Sequence, residues 1–181
     1  EARFNDLLAR AEGLEAVRCA VVHPCDEGSL SGAMDAASHG LIKPVLIGPE
    51  GRIRRVAEEA GISLEGAEIV SVEHSHAAAE LAAAMAARRE VEIVMKGSLH
   101  TDEMLKAILA QPALRSGRRL SHVFRFDVPL YPKPIIVTDA AINIQPTLAE
   151  KADIIQNAIE FARIMGNEQP KVAILSAVEP V

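Results

Sequence analysis

A three-layer αβα fold of the α/β class, built on a mostly parallel mixed sheet, is what this 181-residue sequence predicts. Three observations predict it. Short apolar, largely β-branched runs alternate with helix-like segments from Val17 to Ala110. The distance from one run to the next is too long for hairpins and suits crossover connections. The runs are also apolar throughout, as parallel strands covered on both faces require.

The chain opens on FNDLLARAEGL, where Phe4, Leu7, Leu8 and Ala11 share one helical face. VRCAVV (17–22) reads as a buried strand, EGSLSGAMDAASHG (27–40) as a helix closed by Gly40, and KPVLIG (43–48) as a strand. RIRRVAEEAG (52–61) is a helix closed by Gly61, and AEIVSV (67–72) is a strand. SHAAAELAAAMAARR (75–89) is a helix with Ser75 as its N-cap, followed by the strand VEIVMKG (91–97) and the helix-like run LKAILA.

After residue 120 the pattern changes. SHVFRFDV (121–128) and PIIVTDA (134–140) flank the Pro-rich turn LYPKP and predict an antiparallel pair within the mixed sheet. PTLAEKADIIQNAIEFARIMG (146–166) is a long amphipathic helix with Pro146 near its start and Gly166 at its end. KVAILSAVEPV (171–181) begins another buried-type strand. Such a strand leads into a further crossover, so the sequence reads as part of a two-domain chain whose C-terminal portion is missing. Residues 1–145 form the first α/β domain, incomplete without its C-terminal return, and 146–181 open a second, truncated one.

Composition narrows the function classes. Aromatic residues make up 3% with no Trp, which argues against stacking on nucleic-acid bases as the main activity. The net charge is −6, and the densest basic cluster, RIRR at 52–55, reads as a solvated helix face. No apolar run approaches the ~20 residues of a membrane span, and no signal peptide opens the chain. The expectation is a cytoplasmic protein with no nucleic-acid or membrane partner. Cys19 and Cys25 are too few for a disulfide framework and are expected as free thiols.

In parallel α/β sheets, ligands gather at the carboxyl ends of strands. Four junctions carry polar residues: HPCDEG (23–28) after the first strand, KGSLHTDE (96–103), RRLSH (118–122) just before a strand, and TDAAINIQPT (138–147) between a strand and the long helix. In the second, Gly97 permits a close backbone approach or a positive φ. Ser98 and Thr101 can cap the following helix or donate hydroxyls outward. The helix N-terminus adds free N–H groups and a positive dipole end. Helix capping alone and an anion site, with Lys96 and His100 contributing, both fit that spacing. In the fourth junction Asp139 and Asn143 fall in the loop, where Asp139 can equally satisfy loop amides.

Other patterns are weaker. His23, Cys25 and Asp26 lack the further cluster that a metal site needs. Cys25 as a nucleophile competes with an inert buried thiol. His74 and His76 lie on opposite sides of a strand or at a helix start. GxSxG, HExxH and GxxxxGK[ST] do not occur in these residues, nor does GxGxxG after the first strand.

KGSLHTDEML, LRSGRRLSHVFRFDVP, PIIVTDAAINIQPTLAEKADIIQNAI and PKVAILSAVEPV, in that order, resemble the phosphate acetyltransferase and phosphate butyryltransferase family along nearly the whole chain. The DAAIN, PTL and KADIIQNA segments are the most specific. HPCDEGSLSGAMDAASHGLIKPVLIGP is most similar to the acetyltransferase domain sometimes fused to enoyl-CoA hydratase. The resemblance implies reversible transfer of an acetyl or butyryl group: acyl-CoA plus phosphate gives acyl phosphate plus CoA. It implies two α/β domains of the isocitrate/isopropylmalate dehydrogenase kind, with a ternary complex in the cleft between them, in a homodimer. Acyl-CoA, inorganic phosphate and acyl phosphate are the expected partners. Coenzyme A acts as a substrate; no prosthetic group and no metal is expected. An arginine and an aspartate used in catalysis are expected in the missing portion.

Carried onto this sequence, the resemblance makes Ser98, His100, Asn143 and Asp139 catalytic. Gly97 and the helix N–H groups would hold phosphate. Ser98 and Thr101 would hydrogen-bond it, and His100 would reach phosphate or the acyl carbonyl. Asp139 and Asn143 would line the same cleft, with Arg118, Arg119, Ser121 and His122 on its rim. Lys96 would neutralise charge or pair with a carboxylate. Two other readings are a metal- and NAD-dependent decarboxylating hydroxyacid dehydrogenase of related fold and a non-catalytic module that binds CoA or acyl phosphate. The first needs a cluster of metal-binding aspartates and a nicotinamide site, and neither pattern is present in these residues.

Overall fold

VRCAVV folds as the central strand of a four-stranded sheet, and the rest of the first unit is arranged around it. The computed structural model describes residues 2–175. The chain divides into two units, Glu1–Arg115 and Ser116–Val181.

In the first unit the strands are β1 (Val17–Val22), β2 (Ile42–Gly48), β3 (Glu68–Ser71) and β4 (Ile93–Lys96). They run in the order β3-β2-β1-β4, and every neighbouring pair is parallel. The helices are α1 (Ala2–Ala11), α2 (Glu27–Ser38), α3 (Glu50–Ala60), α4 (Ser75–Ala87) and α5 (Thr101–Leu109), with a 3-10 turn at Pro112–Leu114. Alternate residues of β1 point to opposite faces, and both faces are covered. Ala20 and Val22, with Val45 and Ile47 of β2, pack under α4 and under Ala107 of α5. Cys19, Val21 and Leu46 pack under Leu30 and Ala33 of α2 and Ile53 and Ala57 of α3. That is the expected three-layer arrangement. Each fully buried aliphatic side chain, such as Leu30, Leu46, Ile47 and Ile53, contributes about 1.5–3 kcal/mol relative to exposure.

Local signals explain the helix boundaries. Gly61 closes α3 at φ 66°, a left-handed position that a Cβ disfavours. Ala78, Ala79, Ala82 and Ala83 form the buried face of α4, so small side chains bring this helix close to the sheet. Its N-cap is His74, whose Nδ1 accepts the Ala77 amide at 3.1 Å. The expected cap, Ser75, is instead the first helical residue, and its hydroxyl donates to Glu103 Oε1 at 2.7 Å.

The order of the strands positions the site. The chain steps outward from β1 through β2 to β3, then returns to place β4 on the other side of β1. The β1 exit leads to α2 on one face of the sheet, and the β4 exit leads to α5 on the other. Adjacent strands whose connections leave in opposite directions open a crevice at their carboxyl ends. The register sets those ends level, since Val22 lies opposite both Ile47 and Lys96.

In the second unit β5 (Phe124–Phe126) and β6 (Ile135–Val137) pair antiparallel, Phe124 with Val137 and Phe126 with Ile135. The pairing is the expected one, but the two strands form a ribbon of their own, separate from the parallel sheet. Helix α6 (Leu148–Ile164) begins at Thr147 with a reciprocal capping box to Glu150. The strand expected at 171–181 is corrected in part. Residues 171–175 form no ladder, and Val172, Ile174 and Leu175 are exposed. An apolar run becomes a strand only beside a partner whose backbone it can pair with, and these residues have none. The rest of that run, 176–181, lies outside the described residues.

Candidate active site

The β1 exit bends sharply at His23. Its amide donates to Ile47 O at 2.7 Å, and its backbone takes a left-handed φ of 53°. That conformation turns the His23 carbonyl to accept two amides, Cys25 at 2.8 Å and Ser98 at 2.9 Å. The imidazole Nδ1 reaches the Ser98 carbonyl at 2.8 Å. Gly97 lies against this bend, with its amide donating to Val22 O at 2.9 Å. A Cβ at Gly97 would stand 2.8 Å from the His23 carbonyl oxygen and closer still to that of Val22. Glycine is therefore required here for close backbone approach, and its φ is not in the left-handed region.

From this seam the chain enters α5. His100 is its N-cap residue and Thr101 its first helical residue, and no side chain caps the helix. Ser98 and Thr101 thus do not serve as caps, and the intrahelical bonds begin with Met104 N to His100 O. The first-turn amides face outward from an uncapped, positive helix end. The two carboxylates of that turn are engaged elsewhere: Asp102 pairs with Lys106 at 3.5 Å, and Glu103 accepts from Ser75. His100 and Thr101 are exposed, Ser98 is half-buried, and the exposed Lys96 sends Nζ to Gly97 O at 3.3 Å.

Asp26 completes this end of the sheet. It caps α2 through Oδ1, which accepts the Ser29 amide at 2.8 Å. That amide holds the carboxyl below its ordinary range against the upward push of burial, and the Ser98 hydroxyl and the Lys96 charge add to the effect. The Ser98 hydroxyl rotates about its C–O bond and can donate to an anion at this end of the sheet. Cys25 is buried beside the bend, and desolvation raises its pKa against the opposing charge of Arg52. It stays a thiol at neutral pH, which disfavours it as a nucleophile.

The second unit gathers the remaining expected residues. Asp139 Oδ1 accepts the amides of Ala141 at 2.9 Å and Ile142 at 3.0 Å, and Oδ2 accepts from Asn143 Nδ2. Burial pushes the Asp139 carboxyl up, but the Ile142 and Ala141 amides and the Asn143 side chain outweigh it and hold it low. Asn143 also donates to Leu120 O at 2.9 Å and accepts Arg119 Nε at 2.6 Å. Arg118 grips both carboxylate oxygens of Glu160, at 2.7 and 3.0 Å. This pairing is the main cause that brings Glu160 down to about 2. Asn157 holds Ser121 Oγ at 2.8 Å and Arg119 O at 2.9 Å. The His122 ring lies 4.4 Å from that of Phe124, and its buried Nδ1 has no hydrogen-bond partner.

Within the first unit the structure thus brings together Lys96, Gly97, Ser98, His100 and Thr101. Within the second it ties Asp139, Asn143, Arg118, Arg119 and Ser121 into one network, with His122 beside it. From the sequence, His23 and Asp26 of the polar HPCDEG junction were weighed only as part of a metal site and not as residues of this one. Asp153, Asn157 and Glu160 were not singled out. Their i, i+4, i+7 spacing on α6 puts them on one helical face. Among the described residues no group of three or more His, Cys, Asp or Glu is placed to hold a metal ion, and no helix is long and apolar enough to cross a membrane.

Comparison with known proteins adds a second line. The family described as phosphate acetyl/butaryl transferase matches residues 74–180, more than half of the chain. A phosphate acetyltransferase of Rickettsia felis is 52% identical over 180 residues, which cover 98% of this chain and 52% of that protein. A phosphate butyryltransferase of Clostridium acetobutylicum is 32% identical, covering 98% of this chain and 60% of its own length. The crystal structure of a branched-chain phosphotransacylase from Enterococcus faecalis superposes with a TM-score of 0.69 at 25% identity, covering 90% of this chain and 56% of that one. The chain therefore spans about half the length of the curated relatives it matches.

Proposed function

The chain belongs to the phosphate acetyl/butyryl transferase family, and from that premise we propose that the protein carrying it transfers an acetyl or butyryl group reversibly between coenzyme A and inorganic phosphate. The observation that carries the proposal is the uncapped α5 N-terminus at the switch between β1 and β4. Outward-facing amides at a positive helix end are suited to a phosphoryl group. Lys96 supplies a cation there, and Ser98, Thr101 and His100 supply hydrogen-bonding groups. In the second unit Asn143, Asp139, Arg118, Ser121 and His122 are the proposed contributors, held in place by α6. A boundary at 145/146 remains the proposed start of the second domain.

The chemistry needs positioning and charge stabilisation more than a covalent nucleophile. A phosphate oxygen attacks the thioester carbonyl carbon, the C–S bond breaks, and the electron pair leaves on the CoA sulfur, which then takes a proton. Negative charge grows on the carbonyl oxygen and on sulfur, where fixed N–H and O–H donors stabilise it. Holding phosphate beside the thioester supplies the rest by proximity. Coenzyme A is thus a substrate, and acyl phosphate is the other product. A cytoplasmic homodimer is part of the same proposal, and the two unpaired cysteines support a reducing compartment.

The test is to mix the full-length protein with CoA and acetyl, propionyl or butyryl phosphate and follow thioester formation. Turnover is expected, and the best acyl phosphate identifies the branch. Ser98→Ala is expected to lower the rate about 10- to 100-fold, the range for a hydrogen bond to a charged group, and Asn143→Ala to lower it too. A folded, full-length protein that forms no thioester would reject the reading. Wild-type rates in both variants, with unchanged circular dichroism, would reject the residue assignment.

A further inference from the structure

We propose that His23 is a positioning residue for the phosphate site: its ring holds the Ser98 carbonyl and so fixes the peptides that lead into α5. The inference rests on the reading that the β4–α5 junction holds phosphate, and it adds to that site a residue from the exit of another strand.

Four observations converge on this histidine. Its side chain is the buried polar one of the described core, 7% exposed. Its backbone sits at φ 53°, a left-handed conformation that a non-glycine residue adopts at a cost, and His less rarely than most. Its main chain bonds β2 through Ile47 O and the β4 exit through Ser98 N. Its Nδ1 lies 2.8 Å from Ser98 O. A carbonyl carries no hydrogen, so Nδ1 is the donor.

The two peptides that flank the Ser98 Cα are thus both held by one residue. The Ser98 N–H gives to the His23 carbonyl, and the Ser98 C=O takes from the His23 ring. The Ser98 N–H is therefore not available to a ligand. The consequence is orientational. With those two peptide planes fixed, Leu99, His100 and the first amides of α5 follow in one direction. A strained backbone and a buried imidazole aimed at this one carbonyl exceed what packing alone demands. An apolar residue in an ordinary conformation would fill the same space.

Two variants separate the ring from the backbone. His23→Gly keeps the left-handed φ and deletes the donor. His23→Asn tolerates the same φ and offers an amide N–H in place of Nδ1. Steady-state rates of the full-length protein are measured against inorganic phosphate and acyl-CoA, with melting temperatures recorded alongside. His23→Gly is expected to raise the KM for phosphate by roughly 3- to 10-fold, as loss of one buried hydrogen bond allows, with the KM for acyl-CoA unchanged. His23→Asn is expected to restore it. A lower melting temperature with an unchanged phosphate KM would reduce His23 to a stability role and overturn the proposal, as would failure of asparagine to rescue. A wild-type protein without turnover would sink the underlying reading, and the proposal with it.

Should the glycine variant not fold, the wild-type protein decides. Long-range proton–nitrogen spectra of the His23 ring are expected to show a protonated Nδ1 that shifts on titration with inorganic phosphate, together with the Ser98 and Leu99 amides. An unprotonated Nδ1, or a ring indifferent to phosphate, would overturn the proposal.

Discussion

At the residue scale, the β1 exit is a place where backbone demands decide side-chain identity. Gly97 is glycine because the carbonyls of Val22 and His23 occupy the space of its Cβ. The sequence allowed either a positive φ or a close approach at this position, and the close approach is what occurs. His23 was not legible as part of the site, because the carbonyl it grips lies 75 residues away and no local pattern encodes that contact. Cys25, two residues on, was readable as a nucleophile or an inert thiol, and burial decides for the latter. Cys19 is fully buried, and desolvation pushes its thiol up to about 11. Both thiols are therefore expected to resist a disulfide reagent at pH 8 in the folded protein and to react fully in denaturant. Rapid modification of either one under native conditions would show that the β1 exit opens in solution.

At the element scale, helix α6 anchors the second unit's candidate residues. Its inner face presents Asp153, Asn157 and Glu160 to the segment holding Arg118, Arg119 and Ser121. The helix itself was legible from period and punctuation; its capping box of Thr147 with Glu150 was not read from the sequence, although the spacing is there. Thr147→Ala is expected to destabilise the helix by about 0.5–2 kcal/mol, and Thr147→Ser to cost much less. Urea unfolding followed by helical ellipticity measures this, and equal midpoints for the three proteins would show that the cap contributes nothing. The cap of α4 was misplaced by one residue. Serine is the commoner cap, yet here it is the His74 ring nitrogen that meets the Ala77 amide. The apolar run at 171–175 has strand composition without a strand partner, and composition alone cannot supply one.

At the scale of the whole molecule, the alternation of apolar runs and helices foretold the parallel sheet of the first unit, because strands covered on both faces leave an unbroken apolar signature. Strand order was not legible, since alternation does not say on which side of β1 the fourth strand returns. That return makes the switch point, and the switch point explains why the polar HPCDEG and KGSLHTDE junctions meet. On the proposed function, a phosphoryl group is held at this crevice. The most direct test is a crystal structure of the full-length protein with inorganic phosphate or acyl phosphate bound. A phosphoryl group is expected against the first-turn amides of α5, hydrogen-bonded by the Ser98 hydroxyl. A phosphoryl group bound elsewhere, with those amides facing only water, would contradict it.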